Sequence, residues 1–323
     1  MNGLIYKFAK RCELPGKSVF WNFLNFFFCQ LMILFGLSVY KKIKKEFPDK
    51  RLLFIPSKSV GDVMFYCYFK DYMYDYIDSN ESETILIWAD GIVNACKTFQ
   101  IPNVYPISMP KLAALQMAYH YYGIEKMNMV NAYPWCLFDL VNIQNKNIRP
   151  HPPALPDCRE KLLSQLSDID CVPGRTVVLS PYEQTLTSYR ENIPEPSFWS
   201  ELAEALKNEG FSVCTNCRGD EKEPAIPGTK RIFPKLNECS ELVTLAGASV
   251  MIRSGFADFT VLSPAPLVIL YPSSQYWNYF KVWGTDEFSD HHEIIYKGTI
   301  DEPEYRRELI NEIIKMVKHE KID

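Results

Sequence analysis

The chain has 323 residues, of which 47% are hydrophobic and 23% charged, and its formal net charge is −4. These values are typical of a folded globular protein and exclude global disorder. The negative net charge argues against a chain-wide basic surface, so we predict no nucleic-acid partner.

The ten cysteines are scattered, which in a chain of this length does not indicate a disulfide framework and favours the reducing cytosol.

An uncharged segment near the N-terminus covers residues 19–40, with lysines on both sides. Its length is sufficient for a bilayer span, which needs about 20 residues, although Asn22, Asn25 and Gln30 interrupt it. Three interpretations stay open. The segment is an anchor that lies in the membrane interface or is half inserted, a single span, or an apolar helix packed on the protein's own core. We predict that residues 18–46 attach the protein to a membrane surface.

From Arg51 onward, short apolar runs alternate with helical segments, which is typical of βαβ units and a parallel sheet. In the first half, we predict strands at 52–56, 84–89 and 104–107, with helices at 62–76, 91–99 and 110–122. In the second half, we predict strands at 176–180, 211–215, 249–253 and 267–271. The helices there are predicted at 197–209 with Ser197 as the N-cap, at 238–246 before Gly247, and at 301–320.

A proline-rich stretch at 145–157 predicts a linker between the two halves. The predicted organisation is an apolar and basic helical membrane-associating extension at 1–50, a Rossmann-like acceptor domain at 51–150, a Rossmann-like nucleotide-sugar domain at 158–300, and a C-terminal helix at 301–323. The predicted fold class is therefore α/β, with two Rossmann-like parallel-sheet domains that face a cleft, because strand C-termini of such sheets form ligand sites.

The first candidate site follows the first predicted strand and contains Ser59, Gly61 and Asp62. A glycine before a helix allows close backbone approach to a ligand, and a carboxylate there can accept a proton from a hydroxyl group. The alternative is that Asp62 is an N-cap or first-turn acid of the helix.

Two further candidate loops lie in the second half. The sequence Arg253-Ser254-Gly255 joins a strand to a helix, in a geometry suited to phosphate, and Arg253 can bind phosphate in a bidentate manner. Its alternative is a tight turn with an exposed arginine. The segment from Ser180 to Arg190 offers hydroxyl and guanidinium groups to a diphosphate, and its alternative is a surface loop.

Other motifs give weaker signals. Cys214 and Cys217 form a single CxxC without a second pair at zinc spacing, and we expect the adjacent His291 and His292 in a loop. Asp168 and Asp170 match a DxD spacing, but a solvated acidic loop is the favoured interpretation. We therefore predict no metal site and no cofactor.

The loops taken together resemble GT-B-fold glycosyltransferases, in particular the ADP-heptose:lipopolysaccharide heptosyltransferase-like superfamily and related capsule and cell-surface polysaccharide enzymes. The resemblance extends over about residues 51–290. It is carried by the segments 59–63, Ser180-Pro181 with Ser188, 198–206 and 245–255. Where the family typically has Asp-Ser-Gly with a histidine shortly after, this chain has Arg253-Ser254-Gly255-Phe256-Ala257-Asp258.

The resemblance implies an inverting, metal-independent glycosyltransferase of hexosyl or heptosyl type. It assigns the catalytic base to Asp62 and acceptor binding to Ser59 and Gly61. The implied nucleotide-sugar-binding residues are Tyr182, Thr187, Ser188, Arg190, Asn216, Glu238, Arg253, Ser254, Gly255 and Asp258. The implied partners are a nucleotide-sugar donor and a glycan or glycolipid acceptor used in cell-surface polysaccharide biosynthesis.

The expected location is the cytoplasmic face of a membrane, with peripheral or N-terminal attachment. The alternative function is a non-catalytic, membrane-attached protein that binds a nucleotide or glycan in a polysaccharide assembly complex.

Overall fold

A computed structural model describes residues 19–55, 59–76, 78–122, 129–131, 151, 153, 155–182, 193–274, 291–296, 300 and 302–319. The chain divides into two compact units, residues 1–151 and 152–323. The division lies inside the segment predicted as a linker, of which residues 145–150, 152 and 154 are outside the described residues. Each unit contains one parallel sheet, so the predicted α/β class with two parallel-sheet halves is confirmed.

The first unit alternates helices and strands around a four-stranded sheet. Its elements are α1 (Val19–Glu46), β1 (Arg51–Phe54), α2 (Gly61–Tyr76), β2 (Thr84–Ala89), a 3-10 turn (Asp90–Ile92), α3 (Val93–Thr98), β3 (Val104–Ile107), α4 (Met109–Tyr122) and β4 (Met129–Asn131). The strand order is β3-β2-β1-β4, and every pair is parallel, with Leu52 opposite both Ile85 and Met129. Residues 52–54 and 85–89 are buried, as expected for a sheet covered on both faces.

Helix α1 is part of the first unit and packs along α4, with Met32, Ile33, Val39 and Ile43 buried. The described part of the segment predicted as a membrane-associating extension at 1–50 therefore packs within the first unit. The packing agrees with the third interpretation given above, an apolar helix on the protein's own core. The opposite side of α1 is exposed, however, and it is also apolar.

The second unit has a six-stranded sheet. Its elements are α5 (Arg159–Asp168), β5 (Thr176–Ser180), α6 (Pro196–Asn208), β6 (Ser212–Asn216), β7 (Lys230–Ile232), a 3-10 turn (Leu236–Glu238), α7 (Cys239–Ala246), β8 (Gly247–Ile252), α8 (Gly255–Thr260), β9 (Leu267–Tyr271), β10 (His291–Ile295) and α9 (Pro303–Val317). The strands are all parallel, in the order β10-β9-β8-β5-β6-β7.

Gly247 makes the sharp passage from α7 into β8 possible. Its φ of 116° lies in the left-handed region, and a Cβ there would stand 2.7 Å from the carbonyl oxygen of Gly174. Both the backbone conformation and the space therefore require glycine, as the prediction of a helix end at this position implied.

The C-terminal helix predicted at 301–320 is present as α9, which packs on α6 and on β8 and β9. One prediction about the second unit is wrong. His291 and His292 lie in β10 rather than in a loop, opposite Leu267 and Val268 of β9. The acidic pair Asp168 and Asp170 is exposed as predicted, with Asp168 at the end of α5.

The cysteines behave as small buried residues. Of the eight described cysteines, all are free thiols and only Cys29 is not buried. Cys214 and Cys217 of the CxxC sequence are both within the core of the second unit. Burial raises the pKa of the Cys217 thiol, which disfavours the reactive thiolate form.

Candidate functional site

The strand order of the second unit predicts a crevice at the carboxyl ends of β5 and β8. From β5 the chain proceeds to β6 on one side, and from β8 it proceeds to β9 on the other side. At such a switch in strand order the connecting loops separate, and open α/β sheets bind ligands there. Ser180 ends β5 opposite Met251 of β8, so that the loops after both strands begin at the same sheet edge.

The loop after β8 contains the predicted Ser-Gly turn. Ser254 has an extended backbone and caps α8, because its hydroxyl oxygen accepts a hydrogen bond from the backbone N–H of Phe256 at 3.3 Å. Gly255 is the first residue of α8, and both Ser254 and Gly255 are partly exposed. The Ser254 hydroxyl group retains a proton that it can donate to a ligand at this edge.

Arg253 and Asp258 form a buried ion pair behind that loop. The two terminal nitrogens of Arg253 donate to the two carboxylate oxygens of Asp258 at 3.0 and 2.8 Å, and Nη1 also donates to the Ser254 carbonyl oxygen. Burial raises the pKa of the Asp258 carboxyl group, and the neighbouring Arg253 charge opposes the shift. The bidentate contact predicted for a phosphate is made with Asp258 here. The alternative of an exposed arginine is wrong, since Arg253 is only 8% exposed.

Asn216 and Tyr182 lie at the same sheet edge. Asn216 ends β6, the neighbour of β5, and its side-chain amide donates to the Ser180 hydroxyl oxygen at 3.2 Å. The Tyr182 hydroxyl group donates to the carbonyl oxygen of Pro224 at 2.6 Å, which holds the chain after β5 against the segment between β6 and β7. The predicted donor-binding residues Thr187, Ser188 and Arg190 lie outside the described residues.

Glu238 belongs to the 3-10 turn that contacts α8. Its two carboxylate oxygens accept hydrogen bonds from the Lys161 ammonium group at 2.6 and 2.8 Å, and one also accepts from the backbone N–H of Lys235 at 3.1 Å. Burial opposes ionisation, but these hydrogen bonds and the lysine charges outweigh it and lower the pKa of Glu238. Glu238 therefore supports the turn beside the crevice, and its carboxylate is engaged by the protein itself.

The partner of Glu238 was not predicted from the sequence. Lys161 lies in α5, a helix that the sequence analysis did not predict, and 77 residues separate the two partners. No local motif links them, and their opposite charges are the only signal in the sequence.

In the first unit, the order β3-β2-β1-β4 places the corresponding switch between β1 and β4. The chain leaves β1 at Phe54 and enters α2 at Gly61, so the segment with Ser59 begins at this crevice. Gly61 is buried, and Asp62 is partly exposed in the first turn of α2. The placement agrees with the alternative of a first-turn acid, and the same placement brings a carboxylate to the sheet edge where acceptor binding is predicted. Residues 56–58 lie outside the described residues.

Among the described side chains, no group of three or more His, Cys, Asp and Glu residues is arranged so as to hold a metal ion. The predicted site residues of each unit therefore offer hydroxyl, amide, carboxylate and backbone groups at the carboxyl edge of its sheet. In the second unit, Ser180, Asn216, Ser254 and Gly255 are brought to neighbouring strand ends, whereas Arg253 and Asp258 face each other.

Comparison with known proteins identifies the fold. No family profile and no curated protein sequence matches the chain. Among solved structures, it is similar to the E. coli ADP-heptose lps heptosyltransferase II, with 12% identity and a TM-score of 0.53 over 83% of this chain and 99% of that one. It is also similar to a glycosyl transferase family 9 structure from Veillonella parvula, with 11% identity and a TM-score of 0.50 over 84% and 96% of the two chains. The chain thus has the GT-B heptosyltransferase-like fold, and the resemblance predicted from the sequence is confirmed at the level of the fold.

Proposed function

We propose that the protein is a glycosyltransferase that moves a sugar from a nucleotide-sugar donor to a glycan acceptor. The observation that carries the proposal is the strand order of the second unit, which predicts a ligand crevice beside Ser180 and Ser254. A sheet of this order binds nucleotides at that place. The similar fold of a heptosyltransferase whose name includes ADP-heptose supports a nucleotide sugar as the ligand.

On this proposal the second unit binds the donor. The Ser254 hydroxyl group and the backbone N–H of Gly255 face the diphosphate, and Asn216 holds the Ser180 hydroxyl group at the adjacent strand end. Hydrogen-bond donors fixed at this edge stabilise the negative charge that develops on the departing nucleotide diphosphate. Thr187, Ser188 and Arg190 are assigned to the same ligand by the resemblance alone.

The first unit supplies the base. Asp62 accepts the proton of the acceptor hydroxyl group as the oxygen attacks the anomeric carbon and the bond to the diphosphate breaks. Attack opposite the leaving group inverts the configuration of the sugar. Ser59 and Gly61, beside Asp62, are assigned to the acceptor by the resemblance alone. The reaction proposed on these residues needs no metal ion.

We further assign a lipid-linked acceptor from cell-surface polysaccharide biosynthesis and a place at the cytoplasmic face of a membrane. The support is helix α1, which over Phe26–Glu46 is long and apolar enough to cross a membrane by length and composition. A protein held at a lipid surface meets a lipid-linked acceptor in two dimensions rather than three, which raises the effective concentration.

A second function is favoured by the Arg253–Asp258 pair. Because both terminal nitrogens of Arg253 donate to Asp258, the cation that follows β8 is already neutralised. A site with less positive charge stabilises a departing diphosphate less well. This observation favours a protein that binds a nucleotide or glycan without transferring a sugar, as a component of a polysaccharide assembly complex.

Thermal unfolding of the full chain with UDP-, GDP- and ADP-sugars tests both functions. We expect one nucleotide class to raise the melting temperature, and we expect the rise to shrink in Ser254→Ala. The matched control is Ser200→Ala, which removes a hydroxyl group in the first turns of α6. If the protein also hydrolyses the donor slowly and transfers the sugar to extracted lipid-linked acceptors, the transferase is supported. Stabilisation without turnover supports the binding protein, and the absence of any shift contradicts both.

A further inference from the structure

Among the residues of helix α1 whose side chains are described, two sides of the helix are apolar. One side is buried, and its members are Met32, Ile33, Gly36, Val39 and Ile43. The other side is exposed, and we call it the apolar face. The apolar face consists of Phe26, Phe27, Leu31, Leu34 and Phe35, which are between 43% and 63% exposed. It contains five of the nine exposed large hydrophobic residues found in the described part of the chain, all within ten positions.

The buried side is fixed on α4 by a very close approach of the two helices. A Cβ on Gly36 would stand 2.1 Å from the carbonyl oxygen of Ala114 and 2.9 Å from the Cβ of Ala118. Beyond the end of the helix, the ring of Phe47 lies 5.6 Å from that of Tyr105, which precedes α4. The two helices are therefore antiparallel, and α1 is attached to the first unit from about Met32 to its end.

This attachment leaves a free part of α1 that is too short to cross a membrane by itself. The part of α1 before Met32 begins at Val19 and has a length of about 20 Å at 1.5 Å per residue. The hydrocarbon core of a bilayer is about 30 Å thick. Crossing it would require residues beyond Met32 to leave α4, which would expose the buried side and the close Gly36 contact.

Basic residues continue the exposed side along the helix. Phe27, Leu31 and Leu34 follow one another at intervals of four and three residues, and Ser38 is also exposed at the next such interval. Lys41, Lys42 and Lys45 are exposed at the intervals after that. A helix with apolar residues and lysines on one solvent-facing side is typical of binding in the plane of an anionic membrane surface, because long lysine side chains reach the headgroups.

We propose that α1 lies in the interface of an anionic lipid bilayer, with the apolar face in the acyl boundary and Lys41, Lys42 and Lys45 at the phosphates. The helix does not cross the membrane, and its attachment to α4 fixes the orientation of the first unit on the surface. The proposal rests on the membrane contact assigned under the proposed function and specifies its residues and geometry. Parallel pairing with a second copy of the chain is disfavoured, because it would bring the lysines of both copies together.

Co-sedimentation of the full chain with vesicles tests the proposal. One vesicle is phosphatidylcholine, and the other is an equal mixture of phosphatidylcholine and phosphatidylglycerol. We expect the full chain to bind the mixed vesicle. In Phe27→Glu the affinity for this vesicle is expected to fall by about tenfold or more, since an aromatic ring that enters the acyl boundary is exchanged for a charge. Phe233→Glu is the matched control, because Phe233 is 54% exposed and Phe27 55%. Equal binding of these two variants would overturn the proposal.

Three further measurements test the lysines, a membrane span and a dimer. Replacing Lys41, Lys42 and Lys45 together by glutamine is expected to remove the preference for the mixed vesicle and its salt dependence.

Extraction of cell membranes with alkaline carbonate is expected to release the protein, and retention would indicate a span and overturn the proposal. A full chain that dimerises, with Phe27→Glu a monomer and neither bound to vesicles, would also overturn it. Donor-induced stabilisation of Phe27→Glu reports on the proposed function independently.

Discussion

Arg253 and Asp258 form a bidentate ion pair with distances of 3.0 and 2.8 Å, and the two residues are only 8% and 7% exposed. The pair joins the residue after β8 to the fourth residue of α8, so it spans the Ser254-Gly255 turn. A pair of this kind sets the conformation of the turn between them, because neither charge can remain buried without the other. The proposed donor contacts of Ser254 and Gly255 therefore depend on it.

Replacing Asp258 by alanine is expected to lower the free energy of unfolding by about 3–5 kcal/mol, because Arg253 would stay buried without its partner. Urea unfolding of the full chain measures the change. The control is Glu209→Ala, which removes the more exposed pair with Lys318 at 2.9 Å and should cost about 1 kcal/mol or less. Similar losses in the two variants would show that the buried pair contributes no more than a surface pair.

Joint replacement of Arg253 by methionine and Asp258 by leucine is expected to recover most of that stability, since apolar pairs of similar volume often replace buried ion pairs without loss. The informative measurement is the donor-induced rise in melting temperature. If Arg253 also contacts the diphosphate, the rise disappears in the double variant although the protein is stable. An unchanged rise would show that donor binding needs neither a contact from Arg253 nor the ion pair behind the turn.

Asp62→Asn is expected to lower turnover by about a hundredfold to ten-thousandfold while donor-induced stabilisation is preserved, because the amide cannot accept the acceptor proton. Sugar transfer and donor binding are measured on the same preparation. Asp75→Asn is the matched control, since Asp75 is an exposed carboxylate on the same helix α2. Unchanged transfer in Asp62→Asn would remove Asp62 from the mechanism and leave it as a first-turn acid.

The buried strands could be predicted from the sequence because their chemistry is local. The strands at 84–89, 176–180 and 267–271 have the predicted bounds, since parallel strands covered on both faces appear as continuous apolar runs. Strands β7 and β10 were not predicted. Both are terminal strands of the described sheet, and β10 begins with His291, His292 and Glu293, so polar residues mask the pattern. Their position depends on pairing with β6 and β9, which no local window contains.

The candidate site could be predicted only as a set of loops. The positions of Asp62 and Ser254 at strand-to-helix turns follow from the order of apolar runs and glycines. The pairing of Arg253 with Asp258 could not be predicted in this way, because charged residues are expected at the surface unless a partner is known. At α6, Ser197 was predicted as the N-cap, but the helix begins at Pro196, whose fixed φ suits the first helical position.

Gly36→Ala is expected to lower the free energy of unfolding by about 1–3 kcal/mol despite the better helix propensity of alanine, because the new methyl group meets the Ala114 carbonyl oxygen. Urea unfolding of the full chain measures it. Gly91→Ala is the control, since nothing lies within 4 Å of its Cβ position, and it should leave stability unchanged or raise it by up to about 1 kcal/mol. Equal stability of the two variants would contradict the close packing of α1 on α4.

The carboxyl group of Glu238 gives a prediction about pH. Burial opposes its ionisation, but hydrogen bonds from Lys161 and from the backbone N–H of Lys235 lower its pKa below the ordinary value. A pKa that is lower in the folded protein stabilises it above the unfolded pKa, and this contribution is lost as pH falls through the folded value. At pH 7, Glu238→Gln should therefore be less stable than the unaltered chain by about 1–3 kcal/mol, and the difference should narrow toward about pH 3.

Urea unfolding of both proteins at a series of pH values checks this expectation. Glu241→Gln serves as the control, because Glu241 pairs with an Arg159 side chain that is 62% exposed, and its loss should cost about 1 kcal/mol or less. If the deficit of Glu238→Gln were as large in acid as at neutral pH, the ionised carboxylate would not be its source. The deficit would then come from the shape of the side chain in the turn, and Lys161 would contribute no charge-dependent support to the crevice.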